Sequence, residues 1–146
     1  MFKLLVYSLS ILSLSYVVSI LFKNISKADL KTKLFFCLAV LMEFWVLFLA
    51  VADFTTNYSV ALYCVNLAVF FIEGAGWSFL FFSLNYFKEF KNRVLIYIAG
   101  TSMLLTLYLG ITKNLISSVN LDNYGAGIGK TSSLYLPVEI AIDVLI

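Results

Sequence analysis

The chain has 146 residues, 62% of them hydrophobic and 12% charged, with a net charge of +2 and no histidine. Soluble proteins carry about twice that share of charge, so an ordinary water-facing surface is excluded. Binding to nucleic acid is excluded by the weak net charge, and imidazole-based catalysis or metal ligation by the missing histidine.

What remains is five apolar blocks, at residues 4–22, 34–52, 60–87, 94–111 and 134–146, with charges gathered at the joints. A hydrocarbon core of about 30 Å takes about 20 apolar residues as a helix, which the first four blocks meet or approach. Each block is continuous in hydrophobicity, without the alternation of a barrel strand, and open strands would strand backbone polar groups in lipid. The expected fold is therefore all-α: a polytopic transmembrane helical bundle of about five helices, forming one domain over residues 1–146.

In chain order, the first block follows Lys3 as a signal peptide would. Its apolar run exceeds the usual h-region of about 7–15 residues and no Ala-x-Ala site follows, so it is expected to stay as a helix. Ser8, Ser15 and Ser19 make a small-residue seam suited to close helix contact. The second block carries Cys37 and Glu43, and the third carries Cys64, Asn66, Glu73 and Trp77. In an antiparallel hairpin the two cysteines lie toward opposite membrane faces, too far apart to bridge, and both read as small buried apolar residues.

The joint at residues 23–33 holds Lys23, Lys27, Lys31 and Lys33, and that at 88–93 holds Lys88, Lys91 and Arg93. Only Lys3, Lys113 and Lys130 fall on the other side, and this seven-to-three split puts the basic joints in the cytoplasm. The N-terminus and the loops at 53–59 and 112–133 are then extracytoplasmic. The second of these loops contains Gly129-Lys130-Thr131, but Tyr124 stands where a phosphate loop needs its first glycine. A mobile glycine loop capping the bundle is expected there.

Four carboxyls lie inside apolar blocks: Glu43, Glu73, Glu139 and Asp143. Rising about 1.5 Å per residue, Glu43 and Asp143 sit about 14 Å into their helices, near the depth of Glu73. Ionisable residues at such depth are costly and face the bundle interior or a cavity. Asn66, Glu73 and Trp77 share one face of the third helix, with Leu84 below them, and Gly74 and Gly76 flank the acid and permit close approach. Glu139 and Asp143, four apart, share a face of the last helix. Two readings stand side by side: a polar-lined midplane site built from Glu43, Asn66, Glu73, Trp77, Glu139 and Asp143 that takes a proton, cation or ligand, and protonated acids that join helices.

Three stretches carry a family resemblance. The third block closes in Trp77-Ser78-Phe79-Leu80-Phe81-Phe82-Ser83-Leu84-Asn85-Tyr86, a short basic joint follows, and Gly110-Ile111-Thr112-Lys113-Asn114-Leu115 precedes the glycine loop Tyr124-Gly125-Ala126-Gly127-Ile128. The arrangement resembles the seven-helix N-terminal sensor region of bacterial and archaeal histidine kinases and related signalling proteins. The resemblance implies a prokaryotic, multi-pass plasma-membrane domain with its N-terminus outside, detecting an extracytoplasmic or intramembrane cue (a small molecule, ion or peptide) and relaying it to a cytoplasmic output domain. It also implies two further helices beyond residue 146. The last block agrees, since thirteen residues reach only about 20 Å and no basic anchor follows. It supplies no ligand residues.

A small ion-coupled transporter or channel subunit is the second reading, with the midplane acids binding the coupling ion. A structural membrane subunit, which needs none of the acids, is the third. No catalytic motif, cofactor or metal site is indicated. The expected partners are the lipid bilayer, the cue and the missing C-terminal segments, with a homodimer left open.

Overall fold

A computed structural model of the chain describes residues 2–87, 93–122 and 125–131. The fold is helical: α1 (Phe2–Phe22), α2 (Leu30–Phe54), α3 (Tyr58–Phe87) and α4 (Arg93–Ile111) are each long and apolar enough to cross a membrane. Their bounds exceed the first four apolar blocks by at most a few residues, because the helices run on to their polar caps. At the head of α2, Asp29 accepts a hydrogen bond from the Thr32 amide at 3.0 Å. At the head of α3, the Asn57 side chain accepts from the Ser59 and Val60 amides at 3.0 and 3.3 Å. Each cap satisfies amides that have no partner within the helix. The fifth block, 134–146, lies outside the described residues, with Glu139 and Asp143.

The helices stand in a row in which each packs on its sequence neighbour. α2 and α3 are antiparallel and joined by an aromatic ladder. Phe35 meets Phe82 at 5.8 Å between ring centroids, and Phe71 lies against both Phe44 and Phe48 at 5.2 and 5.3 Å. Gly74 sharpens this seam, since a Cβ there would come within 2.9 Å of Met103 Cε and 3.3 Å of Leu41 Cδ1. At Gly76 a Cβ would meet nothing within 4 Å, so the close approach expected at both glycines occurs at Gly74 alone.

Among the described residues, α1 packs chiefly on α2. At one end Lys3 pairs with Asp53 at 3.2 Å and the Tyr7 hydroxyl donates to the same carboxylate at 2.8 Å. At the other end Phe22 lies 6.2 Å from Phe36. The expected serine seam is corrected. Ser8 and Ser19 are exposed, and the face turned to α2 is made by Tyr7, Ile11, Leu14, Ser15, Val18 and Leu21. Serine spacing alone mislocated it, because the bulkier apolar side chains decide which stripe is worth covering. Both cysteines are free thiols, Cys64 buried and Cys37 exposed rather than buried.

The second correction concerns residues 112–133. In place of a mobile glycine loop the chain forms an antiparallel hairpin, β1 (Ile116–Asp122) paired with β2 (Gly125–Thr131). Gly129, Lys130 and Thr131 belong to β2, which is no setting for a phosphate loop. The hairpin begins with a sharp reversal at the end of α4. Asn114 N–H donates to Leu109 O at 2.8 Å and Lys113 N–H to Gly110 O at 3.1 Å, with Lys113 at φ 57°. This is a Schellman ending, with lysine in the left-handed position usually given to glycine. It turns Leu115 and Ile116, both fully buried, back into a cluster with Ala52, Ala61, Cys64, Val65, Leu109 and Val119. Among the described residues the main core is therefore at the hairpin end.

Candidate functional site

The polar residues that the sequence places on one stripe of α3 do point inward. Asn66, Glu73 and Trp77 have relative exposures of 0%, 6% and 4%. The structure divides them into two separate arrangements.

Asn66 belongs to the hairpin. Its amide oxygen accepts from Leu115 N–H at 3.2 Å and Ile116 N–H at 2.9 Å. Its amide nitrogen donates to Ile116 O at 3.0 Å and to Leu62 O at 2.8 Å. Both lone pairs and both hydrogens of the amide are thus in use. The side chain acts as a short piece of strand edge, satisfying chain that leaves α4 and returns among helices, where unpaired backbone is expensive. Gly110 lets α4 reach this point, since a Cβ there would stand 3.2 Å from Asn66 O. Thr106, also fully buried, donates to Ser102 O in its own helix at 3.0 Å and so needs no outside partner.

Glu73 and Trp77 sit about two turns further along, against α4. Ser102 Oγ donates to Glu73 Oε1 in a close contact, and Trp77 Nε1 donates to the same oxygen at 3.4 Å. The Trp77 ring continues into a stacked contact with Phe81 at 6.1 Å. Glu73 Oε2 is buried and has no hydrogen-bond partner among the described residues.

Glu43 faces the other way. It lies at about the same level of the bundle as Glu73, but it is only half-buried and accepts from Ser15 Oγ of α1 in another close contact. The two acids do not share an interior: each is met by a serine of an outer helix. One polar layer therefore crosses the row as Ser15–Glu43 in the α1–α2 seam and Glu73–Ser102 in the α3–α4 seam. Of the other candidates, Glu139 and Asp143 lie outside the described residues. Four of the six expected from sequence are thus resolved into a clamp (Asn66), a buried acid with its indole (Glu73, Trp77) and a perimeter acid (Glu43).

Sequence reasoning missed Ser102 and Ser15 as the acids' partners. Short connections force antiparallel neighbours, but counting outward from the helix ends does not pair them. Glu73 is fourteen residues before the end of α3 and Ser102 nine after the start of α4, while Ser15 is seven before the end of α1 and Glu43 thirteen after the start of α2. The described residues contain no group of three or more carboxylates and thiols able to hold a metal ion. No protein-family model, curated protein or solved structure matches the chain, so its function has to be argued from this geometry.

Proposed function

We propose that the chain is a membrane-embedded sensory input domain, which registers an extracytoplasmic or intramembrane cue and passes it to a cytoplasmic output domain. The observation that carries the reading is the Asn66 amide, which makes the hairpin and α3 move as one piece. A hairpin held by three hydrogen bonds to a single buried side chain cannot shift without shifting α3 or breaking that clamp. A cue that displaces the hairpin therefore has a mechanical path to the far end of α3, and through Glu73–Ser102 to α4. Coupling of this kind needs an element with two arrangements that both ends bias. The half-satisfied Glu73 and the one-sided support of α1 are where such play resides.

The orientation belongs to the same proposal. The seven-to-three basic split favours an N-terminus and hairpin outside and the basic joints inside. Lys3, the charge that suits this least, is paired with Asp53.

The test uses spin labels at Lys33 and Ile96, exposed positions near the basic ends of α2 and α4, with the chain in lipid nanodiscs. Cutting the clamp with Asn66→Leu should shift or broaden the distance distribution between the labels. An unchanged distribution, with fast amide exchange at residues 115 and 116 proving the hairpin released, would overturn the coupling. A transporter or channel subunit is the competing reading, and the buried acid is what favours it. Glu73-dependent proton or cation flux into vesicles would put it in place of the sensor.

A further inference from the structure

The two oxygens of Glu73 are treated differently by their surroundings. Oε1 accepts from two donors, the Ser102 hydroxyl and the Trp77 indole N–H, while Oε2 is buried without a donor among the described residues. A carboxylate spreads its charge over two equivalent oxygens and draws donors to both. A carboxylic acid has one carbonyl oxygen, which accepts, and one hydroxyl, which does not need to. The arrangement around Glu73 is that of the acid, with Oε1 as carbonyl and Oε2 as hydroxyl.

From this we infer that Glu73, with Ser102 and Trp77, is a proton-binding site inside the bundle, and that the bound proton holds α3 against α4. Energetics point the same way. A buried neutral O–H without an acceptor is costly, but a buried charge left without compensation costs more. No counter-charge is at hand among the described residues. The basic residues of the packed helices are Lys31 and Lys33 at the head of α2 and Arg93 at the head of α4, all at helix ends. The titratable groups nearest this level are Glu43, turned to Ser15 of α1, and Cys37, beside Ser78 at 3.5 Å. On α4, Tyr97 and Tyr108 are exposed on the perimeter and face away from the seam. Among the described residues, then, a proton is what can neutralise Glu73.

The step is a simple acid dissociation. The Oε2–H bond breaks, the proton passes to water, and the electron pair stays on the carboxylate. The anion then needs donors on both oxygens, which this seam does not offer, so release of the proton drives water or movement into the α3–α4 contact. The site stands apart from the signalling reading, because a transporter could use it equally.

The experiment is infrared spectroscopy of the purified full chain in lipid nanodiscs, in H2O and in D2O. A protonated-acid C=O band is expected that Glu73→Gln removes and Glu43→Gln leaves in place. Should Glu73→Gln fail to fold, Ser102→Ala serves instead. It takes one donor from the carbonyl oxygen and should move the band to higher frequency. In a Trp45→Phe background, Trp77 fluorescence should change with pH and become flat when Glu73→Gln is added. An acid band indifferent to both Glu73→Gln and Ser102→Ala overturns the proposal. A Trp77 response to Na+ at fixed pH also overturns it, by assigning the site to a metal cation. Neither result bears on whether the hairpin is coupled to the helices.

Discussion

Asn66 and Glu73 are seven residues apart on one stripe of α3, both buried, and position in the sequence does not distinguish them. Their surroundings differ completely. All four hydrogen-bonding positions of the Asn66 amide are filled, three of them by the backbone of Leu115 and Ile116. Glu73 has both its donors on one oxygen and none on the other among the described residues. A filled network is rigid and specifies one arrangement, whereas a partly filled one is costly and can be changed by a small ligand. The same stripe thus supplies a fixed joint at the hairpin end and a changeable one at mid-depth.

The comparison breaks most visibly if the clamp is cut. Asn66→Leu keeps the volume but leaves Leu115 N–H, Ile116 N–H and Ile116 O unpaired in a buried place. At about 1–3 kcal/mol for each stranded group, the loss of stability should be at least about 3 kcal/mol, read from denaturant or thermal unfolding in mixed micelles. Hydrogen exchange at residues 115–121 should rise well before that of α2. If Asn66→Leu costs less than about 1 kcal/mol, the amide is not what fixes the hairpin.

The contact next to the clamp should respond more moderately. Gly110→Ala introduces a Cβ 3.2 Å from the backbone oxygen of Asn66, which cannot swing aside as a side chain can. Overpacking of this kind costs about 1–3 kcal/mol, offset by up to about 1 kcal/mol from alanine's helix propensity. A destabilisation of about 1 kcal/mol is expected, while Gly76→Ala, into open space, should be neutral or stabilising. Equal effects at the two glycines would remove the distinction between a tight and an open region of α3.

These cases show how far the sequence reached. Lipid demands long apolar helices, so the four described spans stood out in composition alone, and the inward turn of Asn66, Glu73 and Trp77 followed from helical spacing. The hairpin did not stand out. Glycines at 125, 127 and 129 lower strand propensity, and what holds β1 in place is an amide fifty residues earlier in the chain. The assumption of a common interior for Glu43 and Glu73 failed for a related reason. Depth along a helix is legible from residue count, but which neighbour a side chain faces depends on the row order of the helices.

A smaller effect is expected in the α1–α2 seam. Ser15→Ala removes the hydroxyl that meets Glu43, and polar contacts between membrane helices average about 0.6 kcal/mol. Because Glu43 is half-buried at the edge of the row, its side chain can turn to another rotamer more freely than the enclosed Glu73. Ser15→Ala should therefore cost well under 1 kcal/mol in unfolding assays, and less than Ser102→Ala, whose partner has no such relief. The reverse order would make the perimeter acid the more tightly held of the two.

The weakest expected effect lies outside the membrane, at the head of α2. Asp29 is fully exposed, and the hydrogen bonds from Thr32 hold its carboxyl below the usual carboxylate value of 3.8. Those bonds favour the ionised form, as does the positive end of the helix it caps. The sign follows from linkage: a carboxyl whose folded value is depressed adds stability that is fully present above its unfolded value and is lost as the pH falls through the folded one. Asp29→Ala should lower the thermal midpoint slightly at pH 7, and the difference from the parent chain should shrink steadily below about pH 4. Asp29→Asn, which keeps a capping oxygen without the charge, should recover most of the loss and show no such pH dependence. A deficit in Asp29→Ala that persists unchanged into acid would mean that the cap acts through its shape alone, with no contribution from its charge.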